Sequence, residues 1–160
     1  HTGGDLPSYE SGGLWARLVA GEAFGAKAKV KTHSPMFYVH WDLKEGAKAQ
    51  LPPEYSERAA YVVEGSIEAD GQTFHSGQMI VFKPKEQAVI AAKTNAIVMA
   101  LGGEPFGERF IEWNFVSSSQ DRIAQAKSDW RAGKMKLPDL DHDEFIPLPP
   151  DPPPPANPMS

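Results

Sequence analysis

The sequence predicts an all-β fold: an antiparallel β-barrel carrying one C-terminal α-helix and an extended proline-rich tail. Three observations point there. Between Leu14 and Val116 the apolar residues come in short β-branched and aromatic runs, separated at even spacing by Gly, Pro, Lys or Asn. That pattern favours antiparallel strands over a parallel sheet with crossover helices. The stretch after Ser117 repeats at the helical period instead, and Asp151 to Ser160 is too rich in proline to form a core. The expected division is a linker or arm over 1–13, the barrel over 14–116, the helix over 117–133 and the tail over 134–160.

The segment His1 to Gly13 is glycine, proline and polar residues with little to bury, hence its reading as an arm. Leu14 to Ala20 alternates as a strand. In Phe37 to Leu43, Phe37, Val39, Trp41 and Leu43 fall on one face and Tyr38, His40 and Asp42 on the other. Arg58 to Glu64 closes on Gly65, and Ser66 to Asp70 reads as the returning strand of a hairpin. Short strands follow over Gln72 to Phe74, Gln78 to Lys83, Ala88 to Ala92 and Ala96 to Leu101, and Phe110 to Val116 is the last barrel strand.

Ser117, Ser118 and Ser119 offer N-caps, with Ser118 and Asp121 spaced as a capping box with a shorter acid. Ile123, Ala126 and Trp130 then share one stripe, Asp121 lies early and Arg131 late as the helix dipole favours, and Gly133 is the stop. This places the helix at about 118 to 132. Both its stripe and the apolar strip Phe145 to Pro149 need an outer surface to lie on. Self-association, or mobility after Leu137, is the expectation for the chain alone.

Composition excludes several function classes. With 160 residues and 41% hydrophobic content, one domain with extensions is expected. A net charge of −5 gives no basic footprint for nucleic acid or anionic membranes. No apolar run approaches the ~20 residues that span a bilayer, and a cytoplasmic location is the default expectation. The absence of cysteine removes disulfides, thiolate nucleophiles and sulfur-ligated metals.

Several runs taken in order carry a family resemblance. They are Arg17-Leu-Val-Ala-Gly-Glu-Ala-Phe-Gly25, Tyr61-Val-Val-Glu-Gly65, Leu101-Gly-Gly-Glu-Pro-Phe-Gly107, Phe115-Val-Ser-Ser-Ser119 with Ala126-Lys-Ser-Asp-Trp-Arg-Ala-Gly133, and Glu144-Phe-Ile-Pro-Leu-Pro149. Together they resemble the C-terminal half of pirin-like proteins, two-domain members of the cupin (double-stranded β-helix) superfamily. The resemblance implies a metal-bearing N-terminal barrel outside this chain, with iron or another divalent metal held there by histidines and a glutamate. It further implies quercetin 2,3-dioxygenase-like activity in some members and transcriptional co-regulation in others.

Laid on the first cupin motif, from Gly46 to Gly65, the ligand positions fall on Pro52, Glu54 and Arg58; on the second, from Gly77, the ligand histidine falls on Val89. One carboxylate, a proline, a permanent cation and an aliphatic group do not suit a divalent metal. No catalytic and no metal residue is therefore expected in this chain, nor a cofactor. His1, His33, His40, His75 and His142 are scattered, and of these His40 alone has a barrel-strand position. Glu54, Arg58 and His40 remain as candidate ligand-binding residues, with Glu54 and Arg58 forming either an ion pair at the barrel mouth or a site for a small carboxylate or hydroxylated molecule. The expected role is a metal-free domain supporting the missing N-terminal barrel. The alternatives are a protein-binding module or a stand-alone barrel with an atypical small-ligand site.

Overall fold

A computed structural model describes residues 3–84, 86–140 and 144–150. The chain divides into two compact units, His1–Phe106 and Gly107–Ser160. Among the described residues the first contains a single turn of 3-10 helix at Gly3–Asp5 and eleven strands. They are β1 (Ser8–Ser11), β2 (Leu14–Ala23), β3 (Ala26–Lys27), β4 (Met36–Leu43), β5 (Lys48–Gln50), β6 (Glu57–Glu64), β7 (Ser66–Ala69), β8 (Gln72–His75), β9 (Met79–Phe82), β10 (Val89–Ala92) and β11 (Ala96–Gly103). A seven-stranded sheet runs β1-β2-β4-β11-β6-β9 with β3 attached to β2, and a four-stranded sheet runs β5-β10-β7-β8. Every pairing is antiparallel.

The alternation in β4 is realised as read. Phe37, Val39, Trp41 and Leu43 are all buried, while Met36, Tyr38, His40 and Asp42 lie on the opposite, half-buried face. Their inward neighbours are Ala16 and Leu18 of β2, Val98 and Ala100 of β11, and Ala60 and Val62 of β6. Ile67, Ile90 and Leu51 complete the core. Each large side chain so buried contributes on the order of 1.5–3 kcal/mol. Small residues let the strands close up at one end: a Cβ on Gly102 would lie 2.3 Å from the Glu57 carbonyl oxygen and 2.5 Å from the Phe37 ring.

Four expectations are corrected. Arg58 to Glu64 and Ser66 to Asp70 do not form a hairpin: β6 pairs with β11 and β9 and β7 with β10 and β8, so the chain turns at Gly65, φ 79°, from one sheet into the other. Within 1–13, Ser8–Ser11 is not part of an arm but pairs with β2 in the register Ser8↔Arg17 to Ser11↔Leu14, and the Leu18 amide donates to the Pro7 carbonyl at 2.9 Å. Gly12 and Gly13 both have positive φ, 57° and 81°, so the residues taken as a sign of flexibility make the two-residue hairpin turn that folds β1 back.

The last barrel strand is also different. Phe110 to Val116 splits into β12 (Phe110–Glu112) and β13 (Phe115–Ser117), which among the described residues pair only with each other and lie in the second unit. Trp113, at φ 52°, turns the chain between them. An alternating apolar run reads the same whether it is one strand or two short ones folded on a turn.

The helix α1 is Gln120–Arg131, shorter than 117–133, and its N-cap is Ser119 rather than Ser118. The Ser119 Oγ accepts from the Arg122 amide at 3.4 Å, and the Ser119 amide donates to the Ser117 Oγ at 3.2 Å. Gly133 ends it as expected, its amide donating to the Trp130 carbonyl. In the same unit the Phe145 strip is seated on the helix: Phe145 stacks on Trp130 with ring centroids 4.9 Å apart, and the Trp130 Nε1–H donates to the Ile146 carbonyl at 3.0 Å. The proline-rich segment 151–160 lies outside the described residues.

Candidate functional site

The sequence-predicted site residues are not brought together. Arg58 shares the inward face of β6 with Ala60 and Val62 and is 2% exposed, whereas Glu54 lies exposed in the loop before β6. No ion pair joins the two among the described residues. Arg58 instead donates through Nη2 to the backbone carbonyls of Glu86 at 2.6 Å and Lys83 at 3.2 Å, and its Nε is buried without a partner among the described residues. The guanidinium therefore tethers the segment after β9 to the barrel interior. Parity with Ala60 and Val62 along the strand is the signal that places Arg58 inward.

His40 stands on the outward face of β4, against the edge of Trp15 at 5.5 Å between ring centroids, and Arg17 lies 4.7 Å over that same indole. It does not face Arg58. Pro52 is buried. Val89 is half-buried on the outward side of β10, while Ala88 and Ile90 point inward, so Val89 does not pack the interior. His33 and His75 are exposed, and His1 and His142 fall outside the described residues. Among the described residues no three His, Asp or Glu side chains gather in a way that could hold a metal. The set Pro52, Glu54, Arg58 and Val89 does not fit a divalent ion either, since it offers one carboxylate facing away from a cation.

Tyr55, between Glu54 and Arg58, is the better-anchored residue of that loop. Its ring lies 5.1 Å from Phe37, and its hydroxyl donates to the Glu22 carbonyl at 2.7 Å. Burial pushes its phenol above the ordinary tyrosine value, and the charges of Glu54, Glu22 and Glu104 push the same way. Glu104 in turn accepts from the Ser56 amide at 2.9 Å and the Ser56 hydroxyl at 2.8 Å, closing the loop 54–56 onto the end of β11.

The most conspicuous surface is the outward face of the large sheet across β11, β6 and β9. Register aligns two cross-strand rows there: Leu101, Ala59 and Val81 in one, and Met99, Tyr61 and Met79 in the other, with Val63 beyond. Tyr61 is 37% exposed, Val63 43%, Met79 54% and Val81 76%. A concavity of about 490 Å³ lies at the end of this face where Gly103 lacks a side chain, lined by Met36, Ala59, Val81 and Leu101 and also by the charged Glu57 and Arg58. No charged side chain interrupts either row. The sequence carries a signal for this face: Ala59-Ala-Tyr-Val-Val63 and Met79-Ile-Val-Phe82 are apolar at every position, as in strands covered on both faces.

Comparison with known proteins follows this architecture. Residues 38–136 match the family model of the pirin C-terminal cupin domain. A pirin-like protein from Caulobacter vibrioides is 64% identical over 145 residues, covering 91% of this chain and 50% of the relative. A putative quercetin 2,3-dioxygenase from Pseudomonas aeruginosa is 29% identical, over 86% of this chain and 44% of that protein. The solved quercetin 2,3-dioxygenase from Acinetobacter baumannii superposes with a TM-score of 0.73 at 26% identity, covering 92% of this chain and 52% of that one. The chain thus spans about half the length of the relatives it matches. It belongs to the pirin family, and its residues 38–136 are the family's C-terminal cupin domain.

Proposed function

We propose that this chain is a supporting domain: its barrel performs no redox chemistry, and the apolar face of β11, β6 and β9 seats a second, N-terminal barrel that holds iron or another divalent metal. The observation that carries the reading is that face, with Tyr61, Val63, Met79 and Val81 all open to solvent in a chain half the length of its relatives. Exposed apolar patches of this kind mark interaction surfaces. Moving such side chains out of water contributes on the order of 1.5–3 kcal/mol each when burial is complete, and a stable interface needs about 800 Å² from each partner. The oxygen chemistry named for the Pseudomonas and Acinetobacter relatives belongs, on this reading, to the other barrel.

The test is to express this chain and the preceding half separately and then together. The isolated chain should leave quercetin unchanged with iron, nickel or copper added. The two halves should form a 1:1 complex in sedimentation, which Val81→Glu or Met79→Glu abolishes while leaving the chain folded by circular dichroism. Turnover by the isolated chain, or a complex indifferent to both substitutions, overturns the reading. Without the preceding half the same face should drive self-association of this chain, a concentration-dependent effect that those substitutions also remove.

A further inference from the structure

The inward face of the large sheet has an opening of its own at the β1 edge. Register sets Tyr9 opposite Ala16 and Ala16 opposite Trp41, so Tyr9 faces into the barrel although it stands on the edge strand. Next to this row a cavity of about 380 Å³ is lined by Pro7, Tyr9, Leu18, Phe24, Ala26 and Val39, with Ser8 and Ala23 completing it. Leu18 and Val39 are core residues, so the floor of the cavity is the barrel interior itself. Small side chains at 23 and 26 leave the space that larger ones would fill.

Two features of the rim and floor are not explained by packing. Phe24 sits at the tip of the β2-β3 hairpin with φ 54°, a left-handed conformation that a bulky residue adopts at a cost of about 1–3 kcal/mol. Asparagine or glycine is the ordinary choice in such a turn. The result is a half-exposed aromatic ring held 5.8 Å from Tyr9, edge-on, and 6.5 Å from Trp41. The second feature is the Tyr9 hydroxyl, whose polar neighbour is the fully buried Trp41 indole N–H. The larger effect of burial raises the phenol, and the indole N–H holds it down.

We propose that this cavity is a binding site for a small, flat, uncharged molecule that is largely apolar and carries one hydrogen-bond-accepting oxygen. The aromatic edge of Phe24 and Tyr9 walls the molecule, Leu18 and Val39 form its floor, and its oxygen accepts from the Tyr9 hydroxyl, the donor that lines the cavity. The volume falls in the ~300–1,000 Å³ range of small-molecule sites. No charged side chain lines it, so an ionic ligand would be desolvated without compensation. The site is independent of the outward face that seats the partner barrel, and it requires no metal.

Coumarin, a planar bicycle with one carbonyl, is the probe. It is titrated into the ¹⁵N-labelled chain, and the indole N–H resonances of the four tryptophans are followed in a two-dimensional spectrum. The Trp41 resonance should shift saturably and the others should not. Phe24→Ala, which removes a wall at an exposed position, should weaken binding at least tenfold, and Ala26→Leu, which fills the cavity without touching the donor, should abolish it. An absence of saturation up to the solubility limit overturns the proposal. So does an affinity unchanged in both variants, because that would place the probe elsewhere.

Discussion

Replacing Gly102 by alanine should destabilise the barrel by about 2–3 kcal/mol. The added Cβ would lie 2.3 Å from a backbone oxygen, that of Glu57, and 2.5 and 2.9 Å from two atoms of the Phe37 ring. Neither neighbour can yield cheaply. Glu57 is in the β6 ladder opposite Gly103, and Phe37 is fully buried against Tyr55, whose hydroxyl is fixed on the Glu22 carbonyl. Overpacking typically costs about 1–3 kcal/mol and occasionally more, and two rigid walls put Gly102 at or slightly above the top of that range. Loss of glycine's freedom in the unfolded chain returns only about 0.4–1 kcal/mol. For a chain of this size that corresponds to a drop of roughly 5–10 °C in Tm. Urea denaturation followed by tryptophan fluorescence measures it, with Gly4→Ala as the control, since a Cβ at Gly4 meets nothing within 4 Å. A Gly102→Ala chain within 1 kcal/mol of the parent would refute the close-approach argument for this end of the barrel.

Three further outcomes are expected. Arg58→Met removes the two hydrogen bonds from Nη2 to the Glu86 and Lys83 carbonyls, each worth about 1.5–3 kcal/mol, but also removes a buried cation; global stability should change little, while amide exchange over residues 86–88 accelerates at least tenfold. Ser119→Ala should cost about 1 kcal/mol and fray the first turn of α1, read from the amide exchange of Arg122 and Ile123. Burial raises the Tyr9 and Tyr55 phenols in the folded state, so both favour folding fully below the unfolded tyrosine pKa of about 10, and that contribution is lost as pH climbs through their raised values. Absorbance at 295 nm should show tyrosines ionising above the unfolded-chain value, with stability falling over the same window, and a single step at the unfolded value would contradict it.

Much of the barrel was legible because period-two burial writes itself into strands such as β4, where every second residue from Phe37 to Leu43 is large and apolar. The Gly133 stop was legible for a similar reason, the residue type matching one local geometry, whereas Gly65, with the positive φ of a turn, carries the chain from one sheet into the other rather than closing a hairpin. The failures share a cause as well. Gly12 and Gly13 permit either a loose arm or a tight hairpin, and only the edge of β2, available for pairing, decides between them. Phe110 to Val116 alternates whether or not it folds at Trp113. The candidate pair Glu54 and Arg58 was read from motif spacing, yet four residues that cross from a loop into a strand need not share a side, and strand parity with Ala60 and Val62 governs only Arg58. The outward rows were overlooked because an apolar run without alternation suggests a buried strand without saying what buries its second face.

Oxidative footprinting of Met79 tests the central claim most directly. Met79 is 54% exposed in the row with Tyr61 and Met99, and its sulfur reports access to that face with no substitution needed. Hydroxyl-radical labelling of this chain alone and of the full two-barrel protein, followed by mass spectrometry, gives the two rates. If the face seats the N-terminal barrel, Met79 and Tyr61 should be labelled several-fold more slowly in the full protein. Equal rates in both would contradict the account, because the apolar face would then be open in the assembled molecule.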